Sequence, residues 1–321
     1  MGFDFFKPIE EELKIVEKSL GENINTDIRI LDEAAGHLIS AGGKRLRPAF
    51  ALLSAKVFRD DLEYILPMAT ALELVHMATL VHDDVIDNSE MRRGTFTVKS
   101  GWGNRISIYA GNYIFARALA LAASYGRSDI LNILADASMK ICEGEIVQLL
   151  SAYDVTKGLK NYLRRIERKT ALLIAVSCEL GAALCNVHAR QIEALRLYGH
   201  YLGMAFQITD DILDLVADEK VLGKPTGSDI RQGVITLPVL FALKHSPRKD
   251  ELRKLLSSPE LCSRYVDYII DKVLDAGGVD YAYEVSTRFA RKAKKQLSYL
   301  PDVAVKQNLH DIADFIIKRD Y

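Results

Sequence analysis

No proline occurs between Pro67 and Pro225 of this 321-residue chain. Proline removes a backbone donor and clashes with the preceding turn, so a stretch this long without one favours uninterrupted helices. Hairpin dipeptides such as Asn-Gly and Asp-Gly are scarce there too. The segments ATALELVHMATLVHDDVID, NYIFARALALAAS and KTALLIAVSCELGAAL repeat apolar residues at helical spacing. They are apolar around much of their circumference, which predicts helices buried inside a bundle. The expected fold is all-α, with residues 1–321 as one helical domain. Gly42-Gly43 and the segment Gly223 to Gly233 read as its main loops. Mixed-charge helices such as YEVSTRFARKAKKQLSYL read as outer cover in the C-terminal third.

Composition removes several classes of function. Hydrophobic residues at 49% and charged residues at 26% suit a globular chain. A net charge of −1 offers no chain-wide basic footprint, so nucleic acid is not an expected partner. Cys142, Cys178, Cys185 and Cys262 form no CxxC pair and no zinc spacing, as in a reducing compartment. The N-terminus lacks a basic segment followed by an apolar one, and Phe6 stands where a myristoylation signal needs Ser or Thr. The most apolar window, ALLIAVSCELGAALCNV at 171–187, is interrupted by Glu179 and reads as a core helix. A cytoplasmic location is expected.

Two aspartate motifs carry the chemistry. Asp83, Asp84 and Asp87 lie in VHDDVID, and Asp210, Asp211 and Asp214 lie in ITDDILD. Residues i and i+4 share a helix face, about 6 Å apart. Asp83 with Asp87, and Asp210 with Asp214, are thus each expected to present two carboxylates side by side. Like charges so close in apolar surroundings are destabilising unless a cation joins them. Magnesium, which binds one or two carboxylates together with substrate phosphates, fits that demand. Two such faces would hold a diphosphate between metal ions. A solvated acidic turn would be polar around the motif, and here the flanks are apolar.

The cations of a diphosphate site are also present. GGKRLRP at 42–48 supplies Lys44, Arg45 and Arg47 beside two glycines, and guanidinium forks match phosphate oxygens. Arg92 and Arg93 follow the first aspartate motif, Lys169 opens an apolar helix with Thr170, and Lys224 follows the second motif. His76 precedes Asp83 by two helical turns and shares its face. Gln207, just before the second motif, offers a neutral dipole to a developing cation.

GGKRLRP, ELVHMATLVHDDVIDNSEMRRG, RKT, MAFQITDDILD and LGKPTGSD stand in an order and spacing that resemble the trans-polyprenyl diphosphate synthases over nearly the whole chain. RIERKTALLIAVSCELGAA and GSDIRQGVITLPVLFAL resemble most the catalytic large subunit of heptaprenyl diphosphate synthases of Gram-positive bacteria, on the menaquinone side-chain branch. The resemblance implies long helices around a deep apolar cavity, with the aspartate motifs facing each other at its mouth. It implies three magnesium ions, two on Asp83 and Asp87 and the third on Asp210. Arg92, Lys169 and Lys224 would hold an allylic diphosphate such as farnesyl diphosphate. Lys44, Arg47, His76 and Arg93 would hold isopentenyl diphosphate. Thr170 and Gln207 would line the reacting carbon, so that they, Lys169 and the six aspartates make up the catalytic set. It also implies a homodimer or a heterodimer with a small regulatory subunit, and product delivered at a membrane surface. Two departures from the family pattern are Asn112 after Gly111, where Asp is usual, and Val234, where Lys is common.

If the growing tail runs along the helix ending in Asp83, then Val75, Ala78 and Thr79 lie about one to two turns below the aspartates. A turn rises about 5.4 Å, comparable to one isoprene unit. Side chains this small leave room for a medium or long product, the alternative being a geranylgeranyl or farnesyl diphosphate synthase. Ala78→Tyr is therefore expected to shorten it. A terpene cyclase would show another second metal motif and no GGKRLRP loop. A helical di-iron protein would show a second ExxH beside Glu73 to His76. A non-catalytic subunit would have lost aspartates or the basic loop.

Overall fold

The computed structural model describes residues 4–92, 94–217 and 226–318. Of the described residues, 79% are helical. It forms two compact units that interleave along the sequence. The first comprises Met1–Ser138, Leu173–Arg196 and Leu297–Leu309, and the second Met139–Leu172, Leu197–Gln296 and His310–Tyr321.

The first unit is built from α1 (Glu10–Ile24), α2 (Arg29–Ser40), α3 (Leu46–Lys56), α4 (Leu66–Ile86) and α5 (Val98–Ala123). α4 packs against α5, α3 and α1. Pro67 in its first turn suits a helix start, where the missing donor has no partner to lose. The unbroken buried run Met68 to Val75 accounts for its central place, each fully buried Leu or Met contributing about 1.5–3 kcal/mol. α4 stops because Asn88 takes a left-handed conformation, φ 53°, which Asn tolerates better than most residues. The Ser89 N–H then closes onto the Asp84 carbonyl at 2.9 Å, which fixes Asp87 as the cap. A two-residue antiparallel hairpin, β1 (Met91–Arg92) with β2 (Thr95–Phe96), follows in place of more helix.

α5 is kinked where Gly103 takes φ 78°. Its most apolar window is only 33% buried, against 67% for that of α4. By length and composition alone both helices could cross a membrane. The window 171–187 forms α8 (Leu172–Ala183), which is buried as expected. Gly181 of α8 lies so close to α3 that a Cβ there would meet the Ala51 carbonyl oxygen at 2.2 Å.

The second unit contains α7 (Leu159–Ile166), most of α9 (Ala189–Val216), α10 (Ser228–Arg231), α11 (Leu237–His245), α12 (Lys249–Leu256), α13 (Pro259–Arg264), α14 (Val266–Asp275) and α15 (Gly278–Gln296). α6 (Ser128–Leu149) and α16 (Ala304–Ile317) run from one unit into the other. Tyr162, Ile166, Ala171, Met204, Ile208, Ile212, Leu237 and Ala282 make one apolar cluster of this unit. The mixed-charge segment forms α15, with Ala282, Ser286, Ala290 and Ala293 as its buried stripe.

Candidate active site

In the first unit, the motif at the end of α4 divides by burial. Asp84 is 2% exposed, and Arg92 holds its Oδ1 through Nε at 2.9 Å and Nη2 at 2.8 Å. Asp83 is half-buried and Asp87 exposed, one turn apart, with the Asp87 N–H donating to the Asp83 carbonyl at 2.7 Å. Both sit at the negative end of the helix dipole, where added carboxylates are disfavoured and a cation is welcome. Asp84 thus anchors Arg92 and the hairpin, leaving the pair Asp83 and Asp87 as the accessible donors.

The basic loop divides in the same way. Lys44 is exposed and Arg47 half-buried at the start of α3. Arg45, between them, is 8% exposed with φ 47°. Its Nε and Nη2 donate to Glu17 of α1 at 2.6 and 2.7 Å, and its Nη1 to Glu73 of α4 at 3.1 Å. One of the three cations read together from the sequence is therefore a tie between helices. Two bonds to Glu17 and one to the buried Glu73 offset a backbone conformation that costs a non-glycine residue about 1–2 kcal/mol. His76 is half-buried on α4, one turn beyond Glu73.

In the second unit, Lys169 and Thr170 lie on a single π-helical turn, Glu167–Ala171, that links α7 to α8. Such turns displace side chains from regular spacing and recur at functional sites. Lys169 stands 3.8 Å from Glu145. The Thr170 hydroxyl donates to Gln207 Oε1 at 2.5 Å. This short link depends on Gly203, because a Cβ there would lie 2.5 Å from the Ala171 Cα.

The second aspartate motif, near the end of α9, corrects one expectation. Asp210 and Asp214 do not form an open pair. Asp214 is 2% exposed; its Oδ2 accepts the Asp229 N–H at 3.0 Å and its carbonyl the Gly227 N–H at 2.7 Å. The helix end needs those acceptors for the chain that follows. Asp211 is 3% exposed and accepts from the Tyr162 hydroxyl and the Gln207 amide, each at 2.8 Å. Burial pushes its carboxyl up to about 6, against the nearby Arg165 charge and these two hydrogen bonds. Burial and the neighbouring Asp211 charge hold the Tyr162 hydroxyl well above its usual range, so it stays a donor. Asp210 alone of the three is partly open.

Among the described residues no three His, Cys, Asp or Glu side chains converge on one point where an ion could sit. That suits a hard cation held by one or two carboxylates with the rest of its shell from water and substrate. Asp83 and Asp87 in the first unit and Asp210 in the second are the carboxylates of the two motifs that are not buried. Arg93 and Lys224 lie outside the described residues.

Two of the three positions read as setting chain length are buried. Val75 and Ala78 are each 1% exposed. Only Thr79 is partly open, and its hydroxyl donates back to the His76 carbonyl at 2.8 Å. A tyrosine at 78 must displace its neighbours, so Ala78→Tyr is expected first to lose about 1–3 kcal/mol of stability. A melting curve checks this, and an unchanged midpoint would show room there.

Sequence reasoning missed Tyr162 and Arg165. The spacing that singles out His76, seven residues before Asp83, also separates Tyr162 from Lys169.

Residues 28–273 match the family described as polyprenyl synthetase. The chain belongs to the polyprenyl synthetase family. Like other members it is a prenyltransferase, a trans-prenyl diphosphate synthase with the all-α isoprenoid synthase fold. It is 44% identical to heptaprenyl diphosphate synthase component 2 of Geobacillus stearothermophilus, over 98% of this chain and 97% of that one. The solved heptaprenyl diphosphate synthase of Staphylococcus aureus is 36% identical, with a TM-score of 0.92, covering 98% of this chain and 99% of that one. A Caulobacter crescentus polyprenyl synthase, solved with calcium and isoprenyl diphosphate, is 35% identical with a TM-score of 0.91, covering 98% and 97%.

Proposed function

We propose that this prenyltransferase is magnesium-dependent and adds isopentenyl diphosphate units head to tail onto farnesyl diphosphate. Its product is heptaprenyl diphosphate, a side-chain donor for menaquinone, made in the cytoplasm and passed on at a membrane surface. The observation that carries the metal assignment is the division within each aspartate motif. Asp84, Asp211 and Asp214 are buried, while Asp83 and Asp210 are partly exposed and Asp87 is exposed.

Three magnesium ions on Asp83, Asp87 and Asp210 would draw charge onto the leaving diphosphate. The chain's own residues do the rest. Arg92, Lys169 and Lys224 hold the allylic diphosphate, and Lys44, Arg47, His76 and Arg93 hold isopentenyl diphosphate. Thr170 and Gln207 present oxygen dipoles to the allylic carbon as its bond to oxygen breaks. The isopentenyl double bond attacks that carbon, and the proton then lost passes to the departed diphosphate.

The heptaprenyl product and a partner subunit are supported by the "component 2" relative. The half-bare apolar helix α5, with Ile108 at 44% and Tyr109 at 57% exposure, supports a second chain covering it. Asn112 is exposed on that helix, and Val234 is held through its N–H to the Asp229 carbonyl at 2.8 Å. Neither departure disturbs the aspartates, and activity is expected to survive both.

The test incubates the purified chain with farnesyl diphosphate, labelled isopentenyl diphosphate and magnesium, and resolves products by length. A heptaprenyl product confirms the reading and shows a self-sufficient chain. Activity only after a small subunit is added makes the enzyme a heteromer. A shorter or longer product removes the heptaprenyl assignment, and no product in either case removes the catalytic one.

A further inference from the structure

Four side chains of the second unit form one hydrogen-bonded chain. The Tyr162 hydroxyl donates to Asp211 Oδ2, Gln207 Nε2 donates to Asp211 Oδ1, and the Thr170 hydroxyl donates to Gln207 Oε1. Each polarity forces the next. An ionised carboxylate only accepts, so Asp211 takes a proton donor on each oxygen. With its NH2 group committed to Asp211, Gln207 has only its carbonyl oxygen left, and that accepts. Thr170 has one hydroxyl proton and must spend it on that oxygen. What Thr170 still offers outward is oxygen lone pairs. Three of the four members are buried, Tyr162 and Asp211 at 3% and Thr170 at 7% exposure, and Gln207 is the partly open one.

We propose that Tyr162 and Asp211 are positioning residues that fix the polarity of the Gln207 and Thr170 pair, so that oxygens rather than protons meet the carbon that becomes cationic. This rests on the assignment of Thr170 and Gln207 to that carbon. Without the Tyr162 hydroxyl, Asp211 keeps only one of the two donors that orient its carboxylate, so the carboxylate can rotate and the Gln207 amide loses its fixed orientation. An N–H or O–H proton then points at developing positive charge, and the chemical step slows while substrate binding does not.

The experiment compares Tyr162→Phe, Thr170→Val and the double variant in the active enzyme, with its partner subunit if one is required. Tyr162→Phe keeps the buried ring and removes only the hydroxyl. The expected result is a kcat lower by roughly tenfold, both KM values within about twofold, and a labelled product of unchanged length distribution. In the Thr170→Val background, Tyr162→Phe is expected to have almost no further effect, because its influence passes through that hydroxyl. Full multiplication of the two losses, or a kcat that Tyr162→Phe leaves unchanged, overturns the relay. So does a rise in both KM values in step with a fall in melting temperature. If Tyr162→Phe does not fold, the near-isosteric Asp211→Asn carries the same comparison. Inactivity of the unaltered enzyme is a separate outcome, which sinks the function itself.

Discussion

Asp87→Asn is expected to lower kcat/KM by on the order of a thousandfold while leaving the metal-free protein as stable as before. Asp87 caps α4 with helical backbone angles, its side chain is exposed, and the turn closure beside it uses Ser89 and Asp84 instead. Nothing in the fold therefore needs the charge. Its neighbour one turn back is Asp83, and like charges at that spacing cost a helix about 0.2–0.5 kcal/mol. The substitution relieves that repulsion and removes a hard oxygen donor at the negative end of a helix. Activity measured across a magnesium titration, beside a melting curve without metal, separates the two effects. Wild-type turnover in this variant, or a large drop in melting temperature, would falsify the assignment of Asp87 as a metal donor.

Arg45→Met is expected to cost about 3–5 kcal/mol of stability. The guanidinium pairs with Glu73, which is 2% exposed and whose Oε2 already makes no hydrogen bond. Removing the cation leaves a buried carboxylate with nothing to neutralise it. Glu17 is 44% exposed and can return to water, so the loss centres on Glu73. The double variant Arg45→Met with Glu73→Leu replaces both buried charges by apolar groups and should recover most of the loss. Denaturant midpoints of the single and double variants check this. A single variant within about 1 kcal/mol of wild type would mean that Arg45 is not the tie the geometry makes it.

Much of this molecule is legible in its sequence. The proline-free stretch and the 3.6-residue apolar period fix helices, since both are local properties of backbone and side-chain spacing. The i, i+4 carboxylates of VHDDVID are legible for the same reason, because one helical turn sets their separation. The paired loop Gly42-Gly43 is where the chain turns, with Gly42 at φ 68°. Less legible is what interrupts the period. The hairpin after Asn88 and the π turn carrying Lys169 and Thr170 break helical spacing locally, and no residue pattern announces them.

Burial decides the remaining roles, and burial is not a property of spacing. Asp210, Asp211 and Asp214 look alike in ITDDILD. Packing turns Asp211 onto Tyr162, 49 positions away, and Asp214 onto the Asp229 amide. Lys44, Arg45 and Arg47 look alike in GGKRLRP, yet packing buries Arg45, whose guanidinium ties α1 to α4. The sequence by itself determined the helices, the family and the chemical inventory of two acidic motifs among cations. Which of those charged groups stay open to solvent depends on long-range packing, because desolvating a charge is tolerated where distant segments bring it a partner.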